Sequence, residues 1–598
     1  MGIAVKSKTR DTPMSEAGGR KDTGCSPAAS RRDFLARVIG GGVFLAARIA
    51  PAASGLAKTS SRRAPRIVNI YNFVRNSDPR MANSRQVLFD ATERQLKLLR
   101  GLDLPGTFAL QYDALINPRY QRLFNRQATA QIEIGAWWEV PRPLAEKAGL
   151  KWRGPATWDW DWRANIDFAI GYTPTERKRL ADVYMAEFKR VFGKFPATVG
   201  SWYIDEVTLS HLVNHYGVLA SCNCKDQAGT DGYTLWGGYW NQAYYPSRLN
   251  AYMPAQNRSA QIAVPIFRML GSDPIYQYQA SVRGGGQKVV TLEPIYSPGG
   301  RSAPWVDWFF KILTREPCLA FAYAQAGQEN SFGWAAMRQG LELQFTQIAR
   351  MARAGALQVE TLEQSGRWFG NRFKVTPATS VVALDDWQHQ GRKTVWYNSR
   401  FFRANFYWHG AEFKVRDIHL FNENVASPYH QKTARTSSMA VTTLPVMDGF
   451  LWSSNPGNEP TAGIRIVAMD AQGVSVPLTL EGKPDVTSSN DRDLRVRFSL
   501  TQGGTFEIVC QERQLDFRWR RPPGNALKWA MEMTWSASRS TGIGKTAGRS
   551  LLYSNHGVHY ALTLTRGTFS RPMAAQPSIL LIPQQDAVVM ALESKLLR

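Results

Sequence analysis

Cysteine and histidine are scarce in this chain, at five and eight of 598 residues. Cys25 sits near the N-terminus, which leaves Cys222, Cys224, Cys318 and Cys510 for the rest. Four thiols cannot staple a protein of this length, so a disulfide scaffold is excluded and buried thiols are expected. Metal patterns are equally thin. Cys222-Asn223-Cys224 sets two thiols on one side of a strand, but no second paired motif completes four ligands. His211 and His215 stand four apart on an expected helix, yet no Glu follows His211 as a metalloprotease pattern requires. There is no Gly-x-Ser-x-Gly elbow, and Gly284-Gly285-Gly286 lacks the Lys-Ser/Thr sequel of a phosphate loop, which leaves it as a turn. No cofactor is predicted, and a divalent metal stays open. Beyond the leader no apolar run is long enough to span a bilayer, and no internal repeat is present.

What is present describes an ordinary multi-domain globular protein with an excess of aromatic rings. The length predicts two to four domains, and 44% apolar with 20% charged residues is a globular balance. The 20 Trp and 21 Tyr crowd into the first two thirds. The formal charge is +25, of which residues 1–52 hold +5, leaving a basic remainder of +20. The Lys and Arg are scattered among acids, which argues against a nucleic-acid face; an anionic glycan or lipid headgroup suits the charge better. Ser30-Arg31-Arg32-Asp33-Phe34-Leu35, the apolar run 38–47 and Ala50-Pro51-Ala52 resemble a twin-arginine signal. The expectation is a signal peptide over 1–52, a linker over 53–65, and a mature chain without a membrane span, periplasmic or secreted. Oligomeric state is not legible.

From residue 66 apolar runs alternate with helix-period segments. Strands are expected at 66–73, 106–116, 131–140, 197–205, 218–224, 262–270, 288–296 and 318–326. Helices are expected at 90–102, 175–192, 207–216, 302–313 and 331–354. This is the alternation of a parallel α/β sheet: a (β/α)8 barrel over 66–374, or (β/α)7 if the 262–270 run is an excursion. Residues 225–257 form a long Gly-, Tyr- and Trp-rich excursion, of the kind that carries function in barrels. From 375 to 598 short runs separated by turns every eight to twelve residues predict an antiparallel β-sandwich.

Barrel sites are built at the carboxyl ends of strands, and acids line up there: Asp113, Glu139, Asp205-Glu206, Asp226, Asp273, Glu293 and Glu329. Breaking a glycosidic bond needs one carboxylic acid to protonate the leaving oxygen and one carboxylate to attack or to activate water. Alternation turns one of Asp205 and Glu206 to the mouth, and Asp205 is preferred, although it would also cap the helix at 207. Glu329, between the amides of Gln328 and Asn330, is the second candidate, and Glu293 a supporting one. Trp137-Trp138 before Glu139, then Trp158, Trp160 and Trp162, then Trp202, Trp236 and Trp240, offer flat rings beside hydrogen-bonding groups, which suits pyranose faces. Substrate contacts are therefore expected from Trp137, Trp138, Glu139, Asp113, Trp202, Asp226, Asp231, Trp236, Trp240, Asn241, Gln328 and Asn330.

The run GTFALQYDAL, then QIEIGAWWEV, then TVGSWYIDE before YGVLASCNCKD is similar in order and spacing to the superfamily of polysaccharide deacetylases and glycoside hydrolase families 57 and 38, with its seven-stranded (β/α) barrel. The segment SCNCKDQ with TDGYTLWGGYWNQAYYPS resembles a narrower bacterial family near those enzymes. The resemblance covers about residues 66–374. Deacetylases of that superfamily hold a divalent metal with an Asp-Asp strand end and a His-x-x-x-His motif, whereas the corresponding stretches here are Tyr71-Asn72-Phe73 and Trp137-Trp138-Glu139. Family 57 places a carboxylate nucleophile on the fourth strand and the acid on the last, where Asp205 and Glu329 fall. The resemblance thus implies an exported glycoside hydrolase. The alternatives are a metal-dependent carbohydrate esterase and a non-catalytic glycan-binding protein.

Overall fold

The computed structural model describes residues 64–127, 129–230, 233–280, 287–454, 461–469, 475–539, 541–570 and 577–597. The expected signal peptide, nearly all of the linker, the triple-glycine turn and Asp231 lie outside them.

Seven parallel strands form the main path of the first sheet: β1 (Arg66–Val74), β2 (Gly106–Leu110), β3 (Ile132–Trp137), β4 (Thr198–Gly200), β5 (Ala220–Asn223), β6 (Ile266–Arg268) and β7 (Ala322–Ala326); an eighth, the three-residue Gln358–Glu360, pairs parallel with β1 off that path. Their order is β7-β1-β2-β3-β4-β5-β6. β6 turns its other edge to a two-residue antiparallel strand, Ala243–Tyr244, and is not bonded to β7. The barrel is nearly closed, with one seam. Helices α1 (Ser84–Gly101), α2 (Pro174–Phe192), α3 (Glu206–Tyr216), α4 (Ala303–Arg315), α5 (Gly333–Arg353) and α6 (Leu362–Arg372) belong to the same layer architecture. Local chemistry sets their ends. Thr173 and Glu176 make a reciprocal capping box at the start of α2, and Gly193, left-handed at φ 74, ends it.

The count of seven comes from a different run than expected. Residues 262–270 do supply β6, while 288–296 form turns, with one isolated bridge from Ser272 to Thr291. Pro294 and Pro298 remove two backbone donors there, and Gly300 N–H folds back on Thr291 C=O at 2.7 Å. The expected strand 106–116 also stops at Leu110, and Tyr112–Leu115 is a short helix.

Inward side chains of alternate residues fill the barrel: Tyr71, Phe73, Trp137, Cys222, Phe267 and Tyr323 share one buried cluster. Gly200 is required by this filling, because a Cβ there would lie 2.1 Å from the Tyr71 hydroxyl and 2.5 Å from Cys222 Sγ. From Thr379 two antiparallel sheets follow, one running from Thr379–Ala383 to Thr568–Ser570 and one from Leu480–Ser488 to Ile543–Ala547. Their facing rings interlock, as in Phe406 with Phe517 and Trp408 with Phe498. This is a β-sandwich. No helix among the described residues is long and apolar enough to cross a membrane.

Candidate active site at the barrel mouth

Four adjacent strands, β7, β1, β2 and β3, each deliver one polar side chain just past their carboxyl ends: Glu329, Arg75, Gln111 and Glu139. Arg75 follows the parity of Tyr71 and Phe73 and so points inward. Its Nε and Nη2 donate to Glu139 Oε2 and Oε1 at 2.9 and 2.5 Å, a fork-to-fork pair, and Nη1 donates to Glu329 Oε2 at 2.5 Å. Gln111 Nε2 donates to Glu139 Oε2 at 2.5 Å. One guanidinium thus joins two carboxyl groups from strands on either side of it.

The backbone around this junction is braced. Asn330 accepts from Arg75 N–H at 2.9 Å and donates to Arg75 C=O at 2.8 Å, tying the end of β7 to the end of β1. Gln328 Oε1 accepts from Glu329 N–H at 2.8 Å. Trp137 stacks on Phe73 at 4.0 Å, with Trp202 edge-on to both, and forms the floor. Trp160 lies 4.1 Å above the Arg75 guanidinium, and Arg80 stacks near Trp160 and Trp162 at 5.0 and 5.5 Å, forming the roof. Asp167, on the short helix Ala164–Asp167, is the third acid of the cluster.

Burial sets the protonation chemistry. Glu329 is held above the usual carboxylate range by desolvation, which outweighs the pull of Arg75. Asp167 is pushed well above it by burial and by the Glu139 charge. Asp113, after β2, is pushed up to about 7 by burial, against hydrogen bonds from the Asn76 and Ala114 amides. Several buried polar atoms have no protein partner: Gln111 Oε1, Asp167 Oδ1, Trp137 Nε1 and Gln328 Nε2. Donors and acceptors left together in this way suit hydroxyl groups, which do both.

The other expected site residues lie elsewhere or serve the fold. Asp205 is the N-cap of α3: Oδ1 accepts from Val207 and Thr208 N–H at 3.1 Å each, Oδ2 from the Thr208 hydroxyl at 2.7 Å, and Arg177 pairs with it at 3.1 Å. Its lone pairs are spent, and it does not join Glu329. Glu206 is buried against His430 at 3.0 Å, with its carboxyl raised chiefly by burial. Glu293 lies in the turns at the seam. Trp138 points outward onto Tyr184 of α2.

The aromatic excursion is the largest correction. Asp226 is buried and accepts from Arg268 at 2.7 Å, Tyr252 at 2.5 Å and Arg403 of the sandwich. Trp236 donates to Asp448 at 2.7 Å, and Trp240 lies flat on Trp396 at 3.9 Å. Asn241, left-handed at φ 48, donates to Ser272 C=O at 2.9 Å. Asp226, Trp236 and Trp240 thus fasten barrel to sandwich, while Asn241 lines a small pocket with Gln242, Ser272 and Val381. Among the described residues no group of three or more His, Cys, Asp or Glu is placed to hold a metal.

Arg75 and Gln111 are not legible as site residues from a strand-end rule that concerns carboxylates, and Asp167 escapes it because it lies on the short helix Ala164–Asp167 and not past a strand end. Arg75 carried a signal: an inward-parity residue one step past an apolar strand.

No family model and no curated relative matches the chain. Solved structures do. A protein described as a glycoside hydrolase/deacetylase from Parabacteroides distasonis aligns at 13% identity and a TM-score of 0.46, over 63% of this chain and 88% of its own. One described as a polysaccharide deacetylase from Pseudomonas aeruginosa aligns at 12% and 0.33, over 52% and 93%. The 4-alpha-glucanotransferase of Thermococcus litoralis aligns at 9% and 0.28, over 90% and 98%.

Proposed function

We propose that this chain is a carbohydrate-cleaving hydrolase, with Glu329 as the general acid and Glu139 as the carboxylate that attacks or activates water. The observation that carries this is the Arg75 clamp, which brings the two carboxyl groups together at the carboxyl ends of β3 and β7. Roles follow from environment. Glu329, raised by burial, is the better suited of the two to bring a proton to the leaving oxygen, while Glu139 is held in the guanidinium fork. Trp137 and Trp202 supply the floor, and the unpartnered amide and indole atoms take hydroxyls. The segment around Trp160 covers the cluster and must move aside to admit a glycan.

The test is release of reducing ends from a panel of polysaccharides and aryl glycosides. Glu329→Gln and Glu139→Gln should each lower kcat by about a hundredfold to ten-thousandfold. Undiminished turnover in the double variant would refute the assignment. Acetate release without new reducing ends would favour an esterase, and affinity without product a binding protein. Export is part of the proposal: replacing Arg31 and Arg32 with Lys should keep the protein in the cytoplasm.

A further inference from the structure

Between its strands Glu412–Leu420 and Leu444–Asp448 the sandwich sends residues 421–443 back across the barrel. They meet the loops that follow β3, β4 and β5, at the carboxyl ends of those strands. Arg177 of α2 donates through Nη1 to Tyr429 C=O at 2.9 Å and through Nη2 to Lys432 C=O at 3.0 Å. Met439 and Ala440 pair with Tyr233 and Thr234 of the excursion after β5. Ala434, Met439 and Val441 are buried in the cluster that holds Trp137 and Tyr203. Over the loop after β3 there are two further ties: Ala434 N–H donates to Ile170 C=O at 2.8 Å, and Ser437 C=O accepts from Ala164 N–H at 3.2 Å. These two bracket the short helix that carries Asp167.

A charge pair sits in the middle of these contacts. His430 Nδ1 lies 3.0 Å from Glu206 Oε1; Glu206 is fully buried, and His430 keeps 27% of its side chain exposed. The other carboxyl oxygen of Glu206 has no protein partner. The charged neighbours of the pair are Asp205 and Arg177, which offset each other at 3.1 Å. Tyr203 faces Glu206 and stays neutral, its hydroxyl raised chiefly by burial. Whether the Glu206 carboxylate is compensated therefore turns on the His430 proton. The hydrogen bond to Glu206 raises His430 above its ordinary 6.5, against burial. Burial raises Glu206, against the pull of His430. Parted and hydrated, both groups return toward their ordinary values, so the docked arrangement holds protons more tightly than the released one. Docking is favoured fully below the ordinary values, and that contribution is lost as pH rises through the docked ones.

We propose that residues 421–443 form a strap that closes over the β3-to-β5 side of the barrel mouth in acid and loosens in alkali, with His430 and Glu206 as its latch. The strap rests on its own contacts; only its consequence for glycan entry rests on the glycan-cleaving reading of the mouth. Loosening frees Ala164 and Ile170, and with them the segment carrying Trp160 and Asp167 that has to move before a glycan can reach the acids.

Amide hydrogen exchange of the full-length protein at about pH 5.5 and about pH 8.5 tests it, with rates corrected for the intrinsic pH dependence of exchange. In the wild type, the amides of residues 429–440 should lose protection at least about threefold between the two, while the sandwich strand Lys528–Thr534 keeps its own. Glu206→Gln should flatten the dependence. His430→Gln, at a partly exposed position, should lower strap protection in acid to the level that the wild type shows in alkali. Equal wild-type protection at both pH values, a loss shared by Lys528–Thr534, or a dependence left intact by either variant would overturn the proposal. Strap loosening without glycan cleavage at any pH would remove the hydrolase and leave the strap. Glu329-dependent cleavage with constant strap protection would do the reverse.

Discussion

Replacing Arg75 with Met separates what holds the mouth together from what it does. Arg75 is 1% exposed and supplies every cationic hydrogen bond to Glu139 and Glu329. Met keeps the aliphatic stem but removes the guanidinium that lies under Trp160, and leaves two buried carboxyl groups, with Asp167 beside them, lacking a counter-ion. Removing one member of a buried pair costs about 3–5 kcal/mol. The sign with pH follows from the carboxyl groups. Without Arg75 the folded-state pKa of Glu329, already raised by burial, rises further above the unfolded one. Glu329 then favours the folded state fully below the unfolded pKa of about 4, and that contribution is lost as pH rises through the folded value. The deficit of Arg75→Met against wild type should therefore be small near pH 4 and reach its full size by about pH 8.

Denaturant titration at several pH values, following the first unfolding transition, measures this. Adding Glu139→Gln should recover part of the stability at pH 8, because one uncompensated carboxylate is gone, while activity stays lost. A deficit equal at both ends of the pH range, or no recovery in the double variant, would show that Arg75 acts by packing alone and would refute the electrostatic account.

Asp226→Asn should cost about 3–5 kcal/mol, because Arg268 and Arg403 are both buried against it; a loss under 1 kcal/mol would mean the network rearranges freely. Trp240→Ala should cost a similar amount, about 3–5 kcal/mol, and leave glycan affinity of the remaining folded protein unchanged, since its ring lies on Trp396 and not in the mouth. Asp113→Asn should flatten a pH dependence. With a folded pKa of about 7 against an ordinary value of 3.8, the wild-type residue favours the folded state below pH 4 and loses that contribution as pH rises through 7, a swing of at most about 4 kcal/mol. Equal slopes of stability with pH in variant and wild type would disprove the shift.

Most of the fold was legible because buried parallel strands announce themselves as apolar runs and their connecting helices by period and caps. The exceptions have local causes. KVVTLEPIYSP at 288–298 has the apolar density of a strand, but two prolines and the glycines at 299–300 fold it into turns at the seam. Helix α6, LEQSGRWFGNR, gives a weak periodic signal because its apolar face is narrow, and its sequence mark is the capping box of Thr361 and Gln364 at its start. The site was less legible. Position past a strand end places a carboxylate near the mouth but does not say which cation it meets, and Asp205 shows the ambiguity. Asp is among the strongest helix caps, and with Val207, Thr208 and Arg177 all in reach its oxygens were claimed locally.

The aromatic excursion was misread for a more general reason. A Gly-, Tyr- and Trp-rich loop beside a barrel has the composition of a ligand wall and also that of an interface, and only the covering element distinguishes them. Here the cover is the sandwich, whose Arg403 reaches Asp226 and, at 2.9 Å, Asp417. Asp417 is held well below the carboxylate range by Arg403 and His419 despite its burial, and Asp417 raises His419 against the opposing effect of burial. Such a network is coherent only when both parts are in place, since either half alone would bury or expose unpaired charge. The excursion after β5 therefore joins barrel to sandwich through matched charges and stacked rings.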